Sequence, residues 1–340
     1  MAAITTPYLD KYLERVGQHS GAGLPPSLST LARLHYAHAT TIPFENLSLK
    51  LDVAARQHGI NIDLAAVYKK LVLSRRGGYC FEQNALFGGA LRGLGFDVVD
   101  GAARVVQSSD ADASEVEEAP PLPGRSPSAL KGIIEEAPQL RLSGHDHHIL
   151  FVQLDGRLWL ADVGFGGANP LLPVLLPEGA QQYAAPAPEA TAADAYAAAD
   201  WLADAGLPAQ RLAGYRLRLG LPGVLATPDP ATTPHFGQRA GYYLQQRSSN
   251  GSWKDLYFFR LDEFLAQDFA LANHYIESHP QSHFRKNLVV ARQTAMGRVT
   301  ILNDQFRLWR EGGSAPEEER QIEGEADLLG LLRDHFGIVL

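Results

Sequence analysis

The sequence predicts an α+β protein whose helical N-terminal third carries the chemistry and whose remainder is mostly antiparallel sheet. Three observations support this. Apolar residues recur at helical spacing, with capping residues in place, over roughly residues 7–100. Asp155-Gly156 separates two short apolar runs, among the strongest hairpin signals a sequence can carry. From residue 214 onward, strand-length runs follow one another to a final amphipathic helix.

Taken in order, the first bounded helix follows Pro25-Pro26. Ser27 is placed to cap it, and Leu28, Leu31, Leu34 and Tyr36 follow one face. A second helix is expected over 63–73, capped by Asp63. A third starts near Cys80, with Leu86, Ala90, Leu91 and Leu94 on its apolar side and Gly93 or Gly95 at its end. The acidic, Pro/Ser/Ala-rich tract 107–143 reads as a mobile surface insertion. The runs 147–154 and 157–163 form the hairpin. Residues 177–213, rich in alanine with Ala-Pro repeats, read as a second insertion with a helix near 190–205. Strands are expected at Tyr242–Gln246, Leu256–Arg260, Leu288–Arg292, Val299–Leu302 and Phe306–Trp309. A last helix, 325–336, carries Leu328, Leu331 and Leu332. No internal period indicates a repeat protein.

Composition narrows the function classes. A chain of 340 residues is long enough for two or three packed domains, and 45% hydrophobic with 20% charged residues is ordinary for a globular protein. A formal charge of −8 without a Lys/Arg cluster argues against nucleic acid as a partner. No apolar run reaches membrane-spanning length, and Met1-Ala2-Ala3-Ile4-Thr5 lacks the layout of an export signal. The single cysteine excludes an intrachain disulfide, so Cys80 is a free thiol and a reducing, cytoplasmic location is expected.

Arg76-Gly77-Gly78-Tyr79 leads into Cys80 just before a predicted helix. A helix N-terminus favours thiolate over thiol, and the two glycines would let the backbone turn tightly and leave room for a bulky thioester. The plainer alternative is a buried structural cysteine. The hairpin supplies the partners. With Asp155 and Gly156 as the turn, Asp162 faces Ile149, and His147 is its diagonal neighbour on the same face, within side-chain reach. His148 points to the opposite face and His145 lies further out. An Asp oriented on a His fixes the imidazole tautomer, and that His can take the proton of Cys80.

Other uses of the histidines fit less well. His145, His147 and His148 have no cysteine nearby and match no standard zinc spacing. His279 and His283 are four apart, but Pro280 interferes with presenting both rings from one helix. No metal is expected. Gly164-Phe165-Gly166-Gly167 is too short for a dinucleotide fingerprint and reads as a flexible turn beside the hairpin.

Three segments then resemble one family. Pro43-Phe44-Glu45-Asn46-Leu47, Arg76-Gly77-Gly78-Tyr79-Cys80-Phe81-Glu82-Gln83-Asn84 and Trp159-Leu160-Ala161-Asp162-Val163-Gly164-Phe165-Gly166 look like the arylamine N-acetyltransferases. Pro280-Gln281-Ser282-His283-Phe284 resembles a further family segment. The resemblance implies three domains around a papain-like cysteine catalytic core: an N-terminal helical bundle (1–96), a central β-barrel (97–213) and a C-terminal α/β lid (214–340). It implies a Cys80-His147-Asp162 triad. The implied activity is ping-pong transfer of an acetyl group from acetyl-CoA to arylamines, arylhydrazines or N-hydroxyarylamines, a step in xenobiotic metabolism. Phe44 and Val105 match acceptor-pocket positions, and Tyr257 or Phe259 closes that pocket. Gly164, Phe165 and Gly166 border the CoA entrance. Arg76, Glu45 and Asn46 hold the active-site loops.

The tract between Cys80 and His147 is longer than the family's usual spacing by roughly thirty residues. Rival readings are an amide synthase of polyketide assembly on the same scaffold, a Cys hydrolase of the transglutaminase/papain type, and a non-catalytic binding protein.

Overall fold

The first helix, α1 (Tyr8–Arg15), buries Leu9, Tyr12 and Leu13. In the computed structural model the described residues are 2–6, 8–18, 24–51, 59–107, 141–177, 214–222, 240–310 and 313–340. Helix α2 (Leu28–Thr41) starts where Ser27 Oγ accepts the Thr30 N–H at 3.2 Å, as expected. It stops at extended Ile42, the residue before Pro43, where the proline ring disfavours helical backbone. After the short strand β1 (Phe44–Glu45) and helix α3 (Leu47–Leu51) comes α4 (Leu64–Tyr68), which continues as a π-helical turn over Lys69–Leu73. Asp63 occupies the cap position, yet its side chain makes no capping bond, contrary to expectation. Helix α5 (Cys80–Gly93) is buried from Cys80 through Leu91. A helix enclosed on every side is core scaffolding, and the sequence breaks it at Gly95, whose φ is +86°.

Strand β2 (Asp97–Gln107) begins a large antiparallel sheet with β3 (Arg141–Leu142), β4 (His147–Leu154), β5 (Arg157–Ala161), β6 (Val174–Leu175), β7 (Tyr215–Gly220), β8 (Gly241–Arg247) and β9 (Trp253–Phe259). The strand order is β6-β5-β4-β2-β9-β8-β7, with β3 pairing the end of β2. The edge strands β6 and β7 come back beside each other, which makes the sheet a nearly closed barrel. Ile149, Phe151, Leu160, Tyr242, Leu244 and Phe259 pack together in one of its apolar clusters. The β4–β5 turn is the expected one: Asp155 and Gly156 take φ of 50° and 74°, and Leu154 pairs with Arg157.

A second antiparallel sheet runs β1, β10 (Val289–Thr294), β11 (Gly297–Leu302), β12 (Gln305–Arg310) and β13 (Glu318–Gln321). Helices α6 (Ala266–Ser278) and α7 (His283–Lys286) precede it, and α8 (Gly324–Phe336) packs Leu331, Leu332 and Phe336 against Val290, Val299, Ile301 and Phe306.

Two expectations need correcting here. The sheet begun at residue 97 does not end at 213, because Val105 pairs with Tyr257 and Ala103 with Phe259. The change of sheet falls between β9 and β10. Alternation marks strands but carries no record of their partners, so the two sheets read alike in sequence. The 107–143 tract is also anchored at both ends, since Gln107 pairs with Arg141. The remainder of that tract, and the helix expected near 190–205, lie outside the described residues.

Candidate active site

Cys80 is the first residue of α5. The loop before it is held by buried carboxylates: Glu82 Oε2 accepts the Tyr79 N–H at 3.1 Å, and Lys70 bridges Glu82 at 2.7 Å. Arg76 pairs with Glu45 at 3.0 Å, and Asn46 donates to the carbonyls of Phe284 and Asn287. These residues hold loops, as expected. The two glycines serve a different end from the one expected. A side chain at Gly77 would strike the Pro43 carbonyl and one at Gly78 the Glu82 carboxylate, so both allow close packing of the loop and open no space for a thioester.

His147 and Asp162 meet as the hairpin geometry requires, with Nε2 and Oδ2 2.8 Å apart. Asp162 lies just beyond the last ladder pair of β5, Leu150 with Ala161. It is fully buried, and both of its oxygens are used. Oδ1 accepts from Asn84 Nδ2 and from the Gly164 N–H, each at 2.9 Å, and Oδ2 also accepts the Tyr257 hydroxyl at 3.0 Å. Burial works against the charge on Asp162, but His147 and these donors hold its carboxyl below the usual range. Burial likewise opposes a protonated His147. The charge and hydrogen bond of Asp162, with those of Cys80, overcome it and push the imidazole up to about 10.

Cys80 Sγ lies 3.8 Å from the carbonyl of Asp146, the residue before His147, and Cys80 keeps only 3% of its surface exposed. The sulfur is therefore largely shielded from bulk water. His148 turns away as strand alternation requires: its Nε2 bonds Asp100 Oδ1 at 2.9 Å and its ring lies on Phe269. His145 packs on Phe264. His279 stacks on Tyr275 at the end of α6, while His283 sits against Phe284 in α7, so the two serve separate neighbours.

The remaining expected residues divide. Phe44 shares an apolar cluster with Tyr79, Cys80 and Ala102. Phe165 and Tyr257 both pack against His147, with ring centroids 4.9 and 5.0 Å away. Val105 pairs with Tyr257, which puts their side chains on one sheet face. Phe259 packs among Phe151, Tyr242 and Tyr257 in the barrel core, so its placement favours packing over substrate contact. Gly164 was expected to admit a cofactor. A Cβ there would sit 2.9 Å from Cys80 Cα and 2.8 Å from Asn84 Nδ2, so what approaches it is the first turn of α5. Gly166, at φ +64°, starts the 3-10 turn Gly166–Ala168, whose first two carbonyls accept from Gln293 Nε2.

Sequence reasoning gave no role to Asn84, although it lies one helical turn after Cys80 and so on the same face. It also passed over His35, whose Nε2 accepts the Asp162 N–H at 3.1 Å. Two polar residues at buried positions of an apolar helix were the available signal for His35 and His38.

A small open cleft lies between the two sheets, lined in part by Gly167, Tyr215, Arg247, Arg298, Trp309 and Arg310. It shares Gly167 with the turn after Asp162, but neither Cys80 nor His147 lines it. Three arginines and an aromatic ring are groups that could receive phosphates and a base. Among the described residues, no cluster of three or more His, Cys, Asp or Glu is arranged for a metal, and no helix is long and apolar enough to cross a membrane.

A family model described as N-acetyltransferase matches residues 27–118, 127–198 and 191–340. An arylamine N-acetyltransferase of Escherichia coli is 28% identical over 338 residues, covering 98% of this chain and 89% of the relative. A Salmonella typhimurium protein named arylamine N-acetyltransferase / N-hydroxyarylamine O-acetyltransferase is 29% identical over 334 residues, covering 98% of this chain and 89% of the relative. The solved structure of an arylamine N-acetyltransferase from Salmonella typhimurium superposes with a TM-score of 0.67 at 28% identity, covering 98% of this chain and 92% of that one. With a family model spanning most of its length and the motif residues gathered at one site, the chain belongs to the N-acetyltransferase family, as its resemblance to the arylamine N-acetyltransferases implied.

Proposed function

We propose that the protein transfers an acetyl group from acetyl-CoA to the nitrogen of arylamines, arylhydrazines or N-hydroxyarylamines through an acetyl-Cys80 intermediate. The observation that carries this is the buried His147–Asp162 pair at 2.8 Å beside a cysteine at a helix N-terminus. In the first step the Cys80 sulfur attacks the thioester carbonyl, the bond to the CoA sulfur breaks, and CoA leaves with the proton held on His147. In the second, the amine nitrogen attacks acetyl-Cys80 and gives its proton to His147, and the Cys80 sulfur departs. Asp162 keeps Nε2 of His147 protonated, which reserves Nδ1 for these transfers. The packing of a cysteine-bearing helix against the strand ends that carry His147 and Asp162 supports a papain-like core.

The acceptor ring is assigned to the aromatic surroundings of Phe44, Phe165 and Tyr257, with Val105 beside them. The phosphates of the donor are assigned to the cleft at Arg247, Arg298 and Arg310. The lobes proposed are a helical one through α5, the barrel from β2 to β9, and a lid containing the second sheet. A cytoplasmic home rests on the single free thiol.

Mixing the protein with acetyl-CoA and reading intact mass tests the proposal. One acetyl group should appear on Cys80, persist in buffer, and leave on addition of aminosalicylate with acetylated amine as product. No adduct with any of several acyl-CoAs would overturn it, and rapid loss without amine would indicate a hydrolase.

A further inference from the structure

Helix α2 buries two histidines, His35 and His38, against the nucleophile helix, with neither ring exposed. Both meet Phe87 of α5 edge to face, with ring centroids 5.6 and 5.4 Å away. Their hydrogen-bond partners leave no freedom in where their protons sit. The Asp162 N–H can only donate, so His35 Nε2, 3.1 Å away, must be a bare acceptor. The proton of His35 is then on Nδ1, which donates to the Leu171 carbonyl at 3.0 Å. His38 is the reverse. Gln83 turns its Nε2 toward the carbonyls of Pro43 at 2.7 Å and Gly78 at 3.1 Å, so its Oε1 faces His38 Nε2 at 2.7 Å. His38 therefore carries its proton on Nε2, and Nδ1 accepts the Tyr12 hydroxyl at 3.0 Å.

We propose that His35 and His38 are positioning residues, held neutral in opposite tautomers, which set the two halves of the catalytic pair from one rigid helix. His35 fixes the main chain of Asp162. His38, through Gln83, fixes the Gly78 carbonyl of the loop that presents Cys80 and the Pro43 carbonyl against which that loop packs. The proposal rests on Cys80, His147 and Asp162 being the reacting set. Its physical basis is that Asp162 lies beyond the β4–β5 ladder, so no strand partner accepts its N–H. His35 stands in for the missing strand. Without that acceptor a buried N–H would be left unpaired, and the chain would tilt to find water or another acceptor. The charged and titratable groups facing the two rings are Asp162 at His35, and Arg15, Tyr12 and His35 itself at His38. Burial holds both imidazoles down, to about 4 for His35 and about 3 for His38.

Nitrogen NMR of histidine-labelled protein near neutral pH should show His35 as the Nδ1–H tautomer and His38 as the Nε2–H tautomer, both neutral. An imidazolium or the opposite tautomer at either position would overturn the proposal without any mutation. Variants supply the second test, read as the rate of Cys80 alkylation by iodoacetamide at about pH 6 relative to about pH 9. His35→Leu should lower that ratio about tenfold, because a loosened Asp162 supports His147 less, and His35→Gln should restore it to within about threefold. His38→Leu should slow alkylation equally at both pH values and leave the ratio unchanged. A folded H35L protein with the wild-type ratio, or a folded H38L protein with wild-type rates, would reduce that histidine to mere packing. Neither measurement uses acetyl-CoA or an amine, so failure of the transferase assignment would be seen separately.

Discussion

Replacing Asp162 with asparagine changes one oxygen for one NH2 and tests the electrostatic core of the site. All four partners of the carboxylate are donors: His147 Nε2, the Tyr257 hydroxyl, Asn84 Nδ2 and the Gly164 N–H. The Gly164 N–H cannot turn around, and Asn84 is committed by its other bonds to the His148 carbonyl and the Val163 N–H. The new NH2 must therefore face His147, which reverses the imidazole tautomer and puts its proton on Nδ1. The base is then lost. The rise of His147 from 6.5 to about 10 corresponds to on the order of 5 kcal/mol favouring the charged ring. Without the carboxylate, burial depresses the same group and only the contribution of Cys80 still opposes it. Acetylation of Cys80, followed by intact mass in a rapid-quench experiment, should slow by roughly 10³- to 10⁴-fold. The D162N fold should survive, since shape is conserved. A folded D162N protein that acetylates within about tenfold of wild type would refute the ion-pair account.

Five other outcomes follow from the same structure. His35 and His38 have folded-state values below the ordinary 6.5, so the unfolded chain takes up protons first as pH falls. Their share of the stability, measured by urea titration, should therefore be fully present above about pH 6.5 and decline toward pH 4, by up to about 1.4 kcal/mol per pH unit for each proton. His147, raised to about 10, contributes stability fully below 6.5 that is lost as pH rises through 10, so urea midpoints should also fall on the alkaline side. Gly164→Ala should destabilise the protein by about 1–3 kcal/mol and slow Cys80 acetylation, because the added methyl meets the Cys80 backbone at 2.9 Å; a wild-type melting curve and rate would contradict this packing. Phe259→Leu should lower the melting temperature, at a cost of about 1–2 kcal/mol, with arylamine KM unchanged; a selective rise in KM would return Phe259 to the acceptor pocket. Arg298→Ala should raise KM for acetyl-CoA about tenfold and leave the arylamine KM alone, and an unmoved KM for the donor would remove the phosphates from that cleft.

Local chemistry explains which parts of this protein were legible in its residues. The Ser27 cap, the Asp155-Gly156 turn, the end of α5 near Gly95 and the choice of His147 over His148 all depend on a few neighbouring residues. Helical or strand periodicity carries that information in the chain itself. The two-residue strand β1 was invisible because it is extended by pairing with β10 almost 250 residues later and by a bridge to Gly78, neither of which a local period records.

By itself, then, the sequence determined which cysteine opens a helix, which histidine and aspartate meet across the hairpin, and most of the run of helices and strands. Tertiary structure alone decided that strands on either side of residue 214 share one barrel, that Phe259 is core while Tyr257 serves Asp162, and that Gly164 makes way for Cys80. It also placed two histidines of α2 beneath the site. The reason is physical: side-chain periodicity says which face of an element is apolar, whereas the identity of the atoms across that face depends on how distant segments close upon one another.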